Sequence, residues 1–482
     1  MSAKVQRQKM STNELMIVLV ISLGSFMAGL DATIVNIALP SIANSLDVST
    51  VAASWVLNAY LIILVSFLLA SSRLGDMKGY RFIFLGGFIV FTIGFALCGL
   101  STSIELLVGS RMLQAVGGAA VAALGAVMVT SYLAPSLRGQ ALGLVAMFTM
   151  LGAALGPVLG GFLTSALSWR FIFYVNIPVG IIAVVLAAFF LPKIGPAAPK
   201  AKLDLPGVLF IFIALSALIF GLTSLLGHDK FISIAALGIS VLFWLAFFLR
   251  EKKAAEPLIN INLFRNLQFT IQNINIMLIQ VTLAGVMILM PFYLELVKML
   301  PTDNAGTILL ALPIGMILTS PLSGRVSDVI GTKKPIIAGF LICSLALFLL
   351  STLGTESGIG YVQGYLFLLG AGTGIAFAPL NSAVMGESPK KDRGAASGLI
   401  KMMTNMGSSL GVAIVMLVAT AAIGPKLIQD PSHSIQSSEL AGAFHISFFC
   451  LMCIALTGIL LMLFIKDKKN EYSTDGEPVI PF

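Results

Sequence analysis

Charge is what this chain has least of. Only 10% of its 482 residues are Asp, Glu, Lys or Arg, whereas ordinary soluble domains carry about 25%. That deficit excludes a soluble protein with a single anchor, and no stretch reads as a large extramembrane domain. Cysteine is equally scarce. Cys98, Cys343, Cys450 and Cys453 all fall in apolar runs, where a thiol serves as a small hydrophobe. Cys450 and Cys453 form a CxxC, but no other Cys or His is spaced to complete a metal site. The histidines, His228, His433 and His445, are scattered. No GxxxxGK[ST] phosphate loop occurs, so ATP is not the driving force. No metal, cofactor, enzymatic chemistry or nucleic-acid partner is expected. The formal net charge of +8 is spread over short loops and reads as topology.

What the chain has in plenty is hydrophobic sequence. Hydrophobic residues make up 58% of it, and its mean hydropathy is +1.00. Fourteen runs have spanning length: 15–39, 51–71, 82–101, 105–132, 139–165, 171–191, 205–227, 231–249, 269–297, 304–323, 335–353, 360–386, 395–423 and 441–465. Lipid cannot satisfy backbone polar groups, so these spans must be helical. They lack the short alternating pattern of a barrel. An all-α membrane protein is the expected fold class.

The basic start MSAKVQRQKMSTNE reads as a cytoplasmic tail before an uncleaved first span. With that end in the cytoplasm, most of the 29 Lys and Arg fall on the same side. Only Arg170, Lys230, Lys298 and Lys426 fall outside, while Arg111 and Lys401 lie within spans. This asymmetry supports both the helix count and a multi-pass cell-membrane protein with both termini cytoplasmic.

Two halves are visible. SRLGDMKGYR follows the second run and GRVSDVIGTKK the tenth. Asp76, Gly79 and Arg81 have the spacing of Asp328, Gly331 and Lys333. The repeat divides the chain into a tail (1–14), a six-helix bundle (15–191), linkers with an inserted helix pair at 205–227 and 231–249 (192–268), a second six-helix bundle (269–465) and a tail (466–482). Parallel repeats of this kind are the plan of a rocker-type transporter with its site at the midplane.

The residues then carry a resemblance. LDATIVNIALP (30–40), the loop Ser72–Arg81, RMLQAVGG with Arg111, Gln114 and Gly117, GAALGPVLGG (152–161) and WRFIFYVNIPVG (169–180) occur in order on the expected helices. Together they resemble the fourteen-helix drug:proton antiporter branch of the major facilitator superfamily, over nearly the whole chain. The resemblance implies a proton-coupled exporter driven by the proton motive force. It also implies a conformational latch in the loop motif and a seal against leak in the helix 5 motif. Ser72 and Met77 depart from the usual latch pattern, while Gly324 keeps it in the second copy.

The candidate residues stand on their own chemistry too. Asp31 lies inside the first run, where a carboxylate is unfavourable by about 2.5–3.5 kcal/mol. It is about 24 Å along its helix from the cytoplasmic end, and Arg111 is about 9 Å below the outer face on helix 4. Those depths coincide, Gln114 shares the face of Arg111, and each charge offers the other its simplest partner. Either the pair is a permanent structural one, or Asp31 takes up a proton when the pair opens. Gly152, Gly156 and Gly160 recur every four residues and admit a close neighbour, Gly161 adjoins them, and Pro157 permits a bend. Asp76 and Arg81 sit at the cytoplasmic boundary, where an acid can cap a helix N-terminus and pair with a neighbouring base, or the charged loop merely sets topology. Lys401, with Asn405 one turn on, either snorkels or pairs in the cavity with Glu387. Glu295 either pairs with Lys298 or is a second acid. Asn58 is a further cavity candidate. Met147, Phe148, Met150, Met277, Met402 and Met403 either line an adaptable cavity or pack as core.

The function expected is export of lipophilic or cationic drugs against protons by alternating access, by a chain working as a monomer in the bilayer. A dedicated exporter of one metabolite, lipid or antibiotic is the alternative within the same architecture. A non-transporting membrane sensor or scaffold is the alternative from another class.

Overall fold

The computed structural model describes residues 10–196, 203–225, 230–254, 261–388, 393–423 and 437–465. It contains fourteen helices long and apolar enough to cross a membrane. The first half holds α1 (Thr12–Ser45), α2 (Thr50–Lys78), α3 (Tyr80–Leu100), α4 (Ile104–Tyr132), α5 (Pro135–Ala166), α6 (Phe171–Tyr174) and α7 (Asn176–Phe190). The hairpin is α8 (Leu205–Ser224) and α9 (Lys230–Lys253). The second half holds α10 (Leu267–Phe292), continued by a π-helical turn at Tyr293–Val297, and then α11 (Thr302–Leu309), α12 (Ala311–Ile330), α13 (Lys333–Leu350), α14 (Ile359–Gly386), α15 (Arg393–Ile423) and α16 (Ser437–Leu463).

Local sequence explains the element ends. A capping box starts α1: Ser11 Oγ accepts from the Glu14 amide at 3.3 Å, and Glu14 Oε2 accepts from the Ser11 amide at 2.8 Å. The helix continues past Pro40 to Ser45, beyond the first apolar run. The ten-residue loop expected at Ser72–Arg81 is instead helical. Helix α2 runs to Lys78, and Gly79 alone joins it to α3, with φ at +96°. Gly331 ends α12 in the same way, with φ at +85°. Glycine adopts this left-handed region without a Cβ penalty, so one residue suffices for the turn. The linkers at 197–202 and 255–260, the turn 226–229 and the tails 1–9 and 466–482 lie outside the described residues.

The two bundles repeat one packing scheme. Helix α1 lies on α5, and both α2 and α3 lie on α4. In the second bundle α10 lies on α15, and both α12 and α13 lie on α14. The bundles meet where α5 abuts α11, α2 abuts α15 and α1 abuts α10. The hairpin leans on α2 and α15, flanking that seam. Between hairpin and α2 is an apolar cavity of about 590 Å³ lined by Trp55, Phe212, Phe220 and Phe231 among others. This arrangement makes the seam the place to look for a site, because helices of both bundles meet there.

Candidate functional site

The buried charges organise the first bundle. Asp31 of α1 is fully buried and Arg111 of α4 is 1% exposed. Arg111 Nη1 donates to Asp31 Oδ1 at 2.7 Å and to Gln114 Oε1 at 2.7 Å. Gln114 Nε2 donates to the same Asp31 oxygen at 3.1 Å, closing a triangle. Arg111 Nε donates to the Val56 carbonyl of α2 at 3.2 Å. The guanidinium lies 4.1 Å from the centre of the Tyr60 ring and 5.9 Å from that of Phe173. Cys98 of α3 adds a thiol 3.5 Å from Gln114 Oε1. A planar, delocalised guanidinium suits this mixture of fork and ring contacts better than an ammonium would.

The two oxygens of Asp31 differ. Oδ1 receives both donors, whereas Oδ2 is buried with no hydrogen-bond partner. A proton can therefore add at Oδ2 without first displacing a donor. Removing either charge alone would leave the other buried and uncompensated, a penalty of about 3–5 kcal/mol.

Helix α5 ties this acid to the seam. Thr33 Oγ1, two residues after Asp31, donates to the Ala153 carbonyl at 3.0 Å. A Cβ on Gly152 or Gly156 would come within 2.9 Å of the amides of Leu30 or Ile34, and one on Gly160 within 2.9 Å of the Ile34 carbonyl. These glycines let α1 and α5 touch backbone to backbone. Gly161 faces the other bundle, where a Cβ would meet the Thr302 carbonyl at 2.6 Å. A Cβ on Gly306 of α11 would collide with the Pro157 carbonyl. One stretch of α5 thus contacts both the helix of Asp31 and the opposite bundle.

Several pairings open to the remaining candidates do not form. Asp76 does not pair with Arg81. It accepts from the Tyr80 hydroxyl at 2.6 Å, while Arg81 Nη2 donates to the Ala188 carbonyl at 2.5 Å. The helical continuation of α2 puts Asp76 one turn from Tyr80 and sends Arg81 to the end of α7. Lys333 Nζ likewise donates to the Ile465 carbonyl at 2.5 Å; the side chain of Asp328 lies outside the described residues. Glu295 and Lys298 do not pair either. Lys298 donates to the Thr355 carbonyl at 2.6 Å, and Glu295 Oε1 is buried without a partner in the π-helical turn. Lys401 is exposed and forms no ion pair among the described residues, and Glu387 accepts from Asn266 at 2.8 Å instead. Asn405 donates to the Lys401 carbonyl at 2.9 Å. Asn58 is buried at the seam, where its Oδ1 receives Ser409 of α15 at 3.4 Å. Met147 and Met150 are exposed but Met402 is buried, so the methionines do not share one environment.

Sequence reasoning missed Tyr60, the Val56 carbonyl, Cys98, Thr33 and Gly306. Only Thr33 carried a signal, as a hydroxyl on the run that holds Asp31. The others are neighbours in space with no marker in their own segments.

Two matching helical bundles, with a charge triangle buried in one and a seam between them, have the architecture of a membrane transporter built from parallel repeats. Comparison with known proteins agrees. The family model of the Major Facilitator Superfamily matches residues 21–295 and 272–481, and the chain belongs to that superfamily. It is 30% identical over 456 residues to the riboflavin transporter RibZ of Clostridioides difficile, covering 94% of this chain and 98% of that protein. It is 30% identical over 410 residues to the tetracenomycin C resistance and export protein of Streptomyces glaucescens, covering 84% and 76% of the two chains. It is 29% identical over 426 residues to the multidrug resistance protein Stp of Mycobacterium tuberculosis, covering 87% and 78%. The fold is also that of the nucleoside transporter NupG, at 14% identity and a TM-score of 0.63, over 95% of this chain and 100% of that one.

Proposed function

We propose that this chain is a proton-coupled antiporter that exports lipophilic small molecules from the cytoplasm by alternating access, with both termini cytoplasmic. The observation that carries the reading is the buried Asp31–Arg111 pair at 2.7 Å, with Asp31 Oδ2 unpartnered. A proton from outside binds at Oδ2 and neutralises the carboxylate. The attraction to Arg111 weakens, Gln114 retains a hydrogen bond to each partner, and the contacts that fix α1 loosen. Through Thr33 and the glycine face of α5, that change reaches the seam with α11. The tetracenomycin C resistance and export protein of Streptomyces glaucescens supports the direction of transport, and the multidrug resistance protein of Mycobacterium tuberculosis fits it. The driving force is adequate, since one charge moved across 100 mV is worth about 2.3 kcal/mol and a pH gradient adds to it.

The test is dye movement in everted vesicles under an imposed pH gradient, with ethidium and a panel of neutral lipophilic dyes, wild type beside Asp31→Asn. Wild type accumulates dye as the gradient discharges, and Asp31→Asn does neither. Unchanged proton-coupled movement in Asp31→Asn would sink the mechanism. A second reading, a dedicated transporter of one metabolite, is favoured by the near full-length match to a riboflavin transporter. Narrow transport, confined to one compound of such a panel, would favour it.

A further inference from the structure

Inside the spanning helices the charges do not cancel. Asp31 and Arg111 neutralise one another. Glu295 sits at the far end of its span, in the π-helical turn before Lys298. That leaves Lys401, near the start of the span Gly398–Ala422, as a lysine within a spanning segment that forms no ion pair among the described residues.

The position of Lys401 on its helix shows what it faces. A Cβ on Gly398 would lie 3.3 Å from the side chain of Leu69 of α2, and Ser409 donates to Asn58 of α2 at 3.4 Å. Lys401 lies between those two contacts along the seam. With Thr404, Asn405 and Ser408 it forms a polar stripe at spacings of three and four residues, all exposed or half-exposed. The opposite arc is apolar: Leu399 and Met402 are each 1% exposed, and Met403, Met406 and Leu410 continue it. A stripe of this kind, carrying a lysine, is better placed against water than against lipid. The stripe does nothing to neutralise Lys401. Thr404 donates to Ile400, Asn405 to Lys401 and Ser408 to Thr404, all on the helix's own carbonyls. At the same seam Asn58 Nδ2 is buried without an acceptor. Lys401 and Asn58 Nδ2 are both donors, one of them cationic, about 12 Å apart along the helix.

We infer that the transported compound is a lipophilic acid, with its carboxylate or other anionic group received by Lys401 and an acceptor further along reaching toward Asn58. This rests on the transport reading above and sets aside its expected preference for cations. A cation would meet only Lys401, at a site where no acid faces it. An acid would give Lys401 the counter-charge it lacks.

The experiment uses two dyes sharing one ring system, the anion fluorescein and the cation rhodamine 123, with the full-length chain in everted vesicles and a pH-sensitive dye reporting proton counterflow. Wild type is expected to move fluorescein and not rhodamine 123. Lys401→Gln lowers fluorescein flux by about tenfold, the scale of one ion pair in a wet cavity. Lys401→Arg retains most of it, and Lys401→Glu shifts preference toward rhodamine 123. Membrane abundance and thermal melting of each variant exclude misfolding as the cause. Fluorescein flux untouched by Lys401→Gln, as for a lysine that merely snorkels, overturns the inference. Preference of the wild type for rhodamine 123 with proton counterflow overturns it while leaving the antiporter reading intact. Movement of neither dye under any gradient overturns both.

Discussion

Arg81 and Lys333, 252 residues apart, occupy equivalent places in the two bundles and make equivalent contacts. Each follows a left-handed glycine by two residues and donates to a carbonyl at the end of its own bundle's last helix, at Ala188 and at Ile465. A cation there meets the negative end of a helix dipole, worth about 0.3–1 kcal/mol at the surface. The motif therefore fastens each bundle to itself. Arg81→Ala and Lys333→Ala are expected to lower stability by about that amount each, and additively, since the sites are far apart. Denaturant or thermal melts of the purified protein measure this. If either change instead shifts the balance of conformations at constant stability, the motif acts between bundles and the self-fastening account is wrong.

The triangle of Asp31, Arg111 and Gln114 makes a sharper prediction, because its members are coupled. Asp31→Ala leaves Arg111 buried without a counter-charge and should destabilise by about 3–5 kcal/mol. Asp31→Ala combined with Arg111→Leu removes both charges and should recover much of that loss. Proton coupling should not return, since no carboxylate remains there. A double variant as unstable as the single would show that packing by Tyr60, not charge, dominates the site.

Rings supply the other half of that environment. Tyr60 stands 4.1 Å from the Arg111 guanidinium. Tyr60→Leu keeps bulk and removes the stacking, a loss of about 0.5–2 kcal/mol, whereas Tyr60→Phe keeps the ring. Transport by Tyr60→Phe should stay close to wild type, while Tyr60→Leu should be less stable. Equal stability of the two would show that the ring face contributes nothing.

These contacts also show what can be read in a linear chain. Span number and the levelling of Asp31 with Arg111 were legible because helical rise converts sequence position into depth, and a membrane fixes the reference plane. The loop motif was not. Its polar residues suggest a loop, yet Gly79 alone makes the turn and the charges ride on helix. The partners of Arg81, Lys298 and Lys333 are backbone carbonyls of distant segments, and a carbonyl leaves no mark in a sequence. The two bundles differ for a reason that is legible. Leu283 and Gln363 stand 252 residues on from Asp31 and Arg111, so the repeat carries no second charge pair.

The junction of α5 and α11 should govern how readily the bundles part at that end. Gly161 abuts the Thr302 carbonyl and Gly306 abuts that of Pro157. The obstructing atoms are backbone and cannot swing aside. Added methyl groups there should cost about 1–3 kcal/mol in the joined state and nothing once the bundles separate. An equilibrium poised within a few kcal/mol would then shift strongly toward separation. A cysteine placed at Asp303, in a chain with Cys98, Cys343, Cys450 and Cys453 replaced, reports the change through its rate of reaction with a membrane-impermeant maleimide. Gly161→Ala and Gly306→Ala should each speed labelling, whereas Gly324→Ala, with open space around its Cβ position, should not. Equal labelling in all three would mean that this contact does not hold the bundles together, and that the seam between α2 and α15 does.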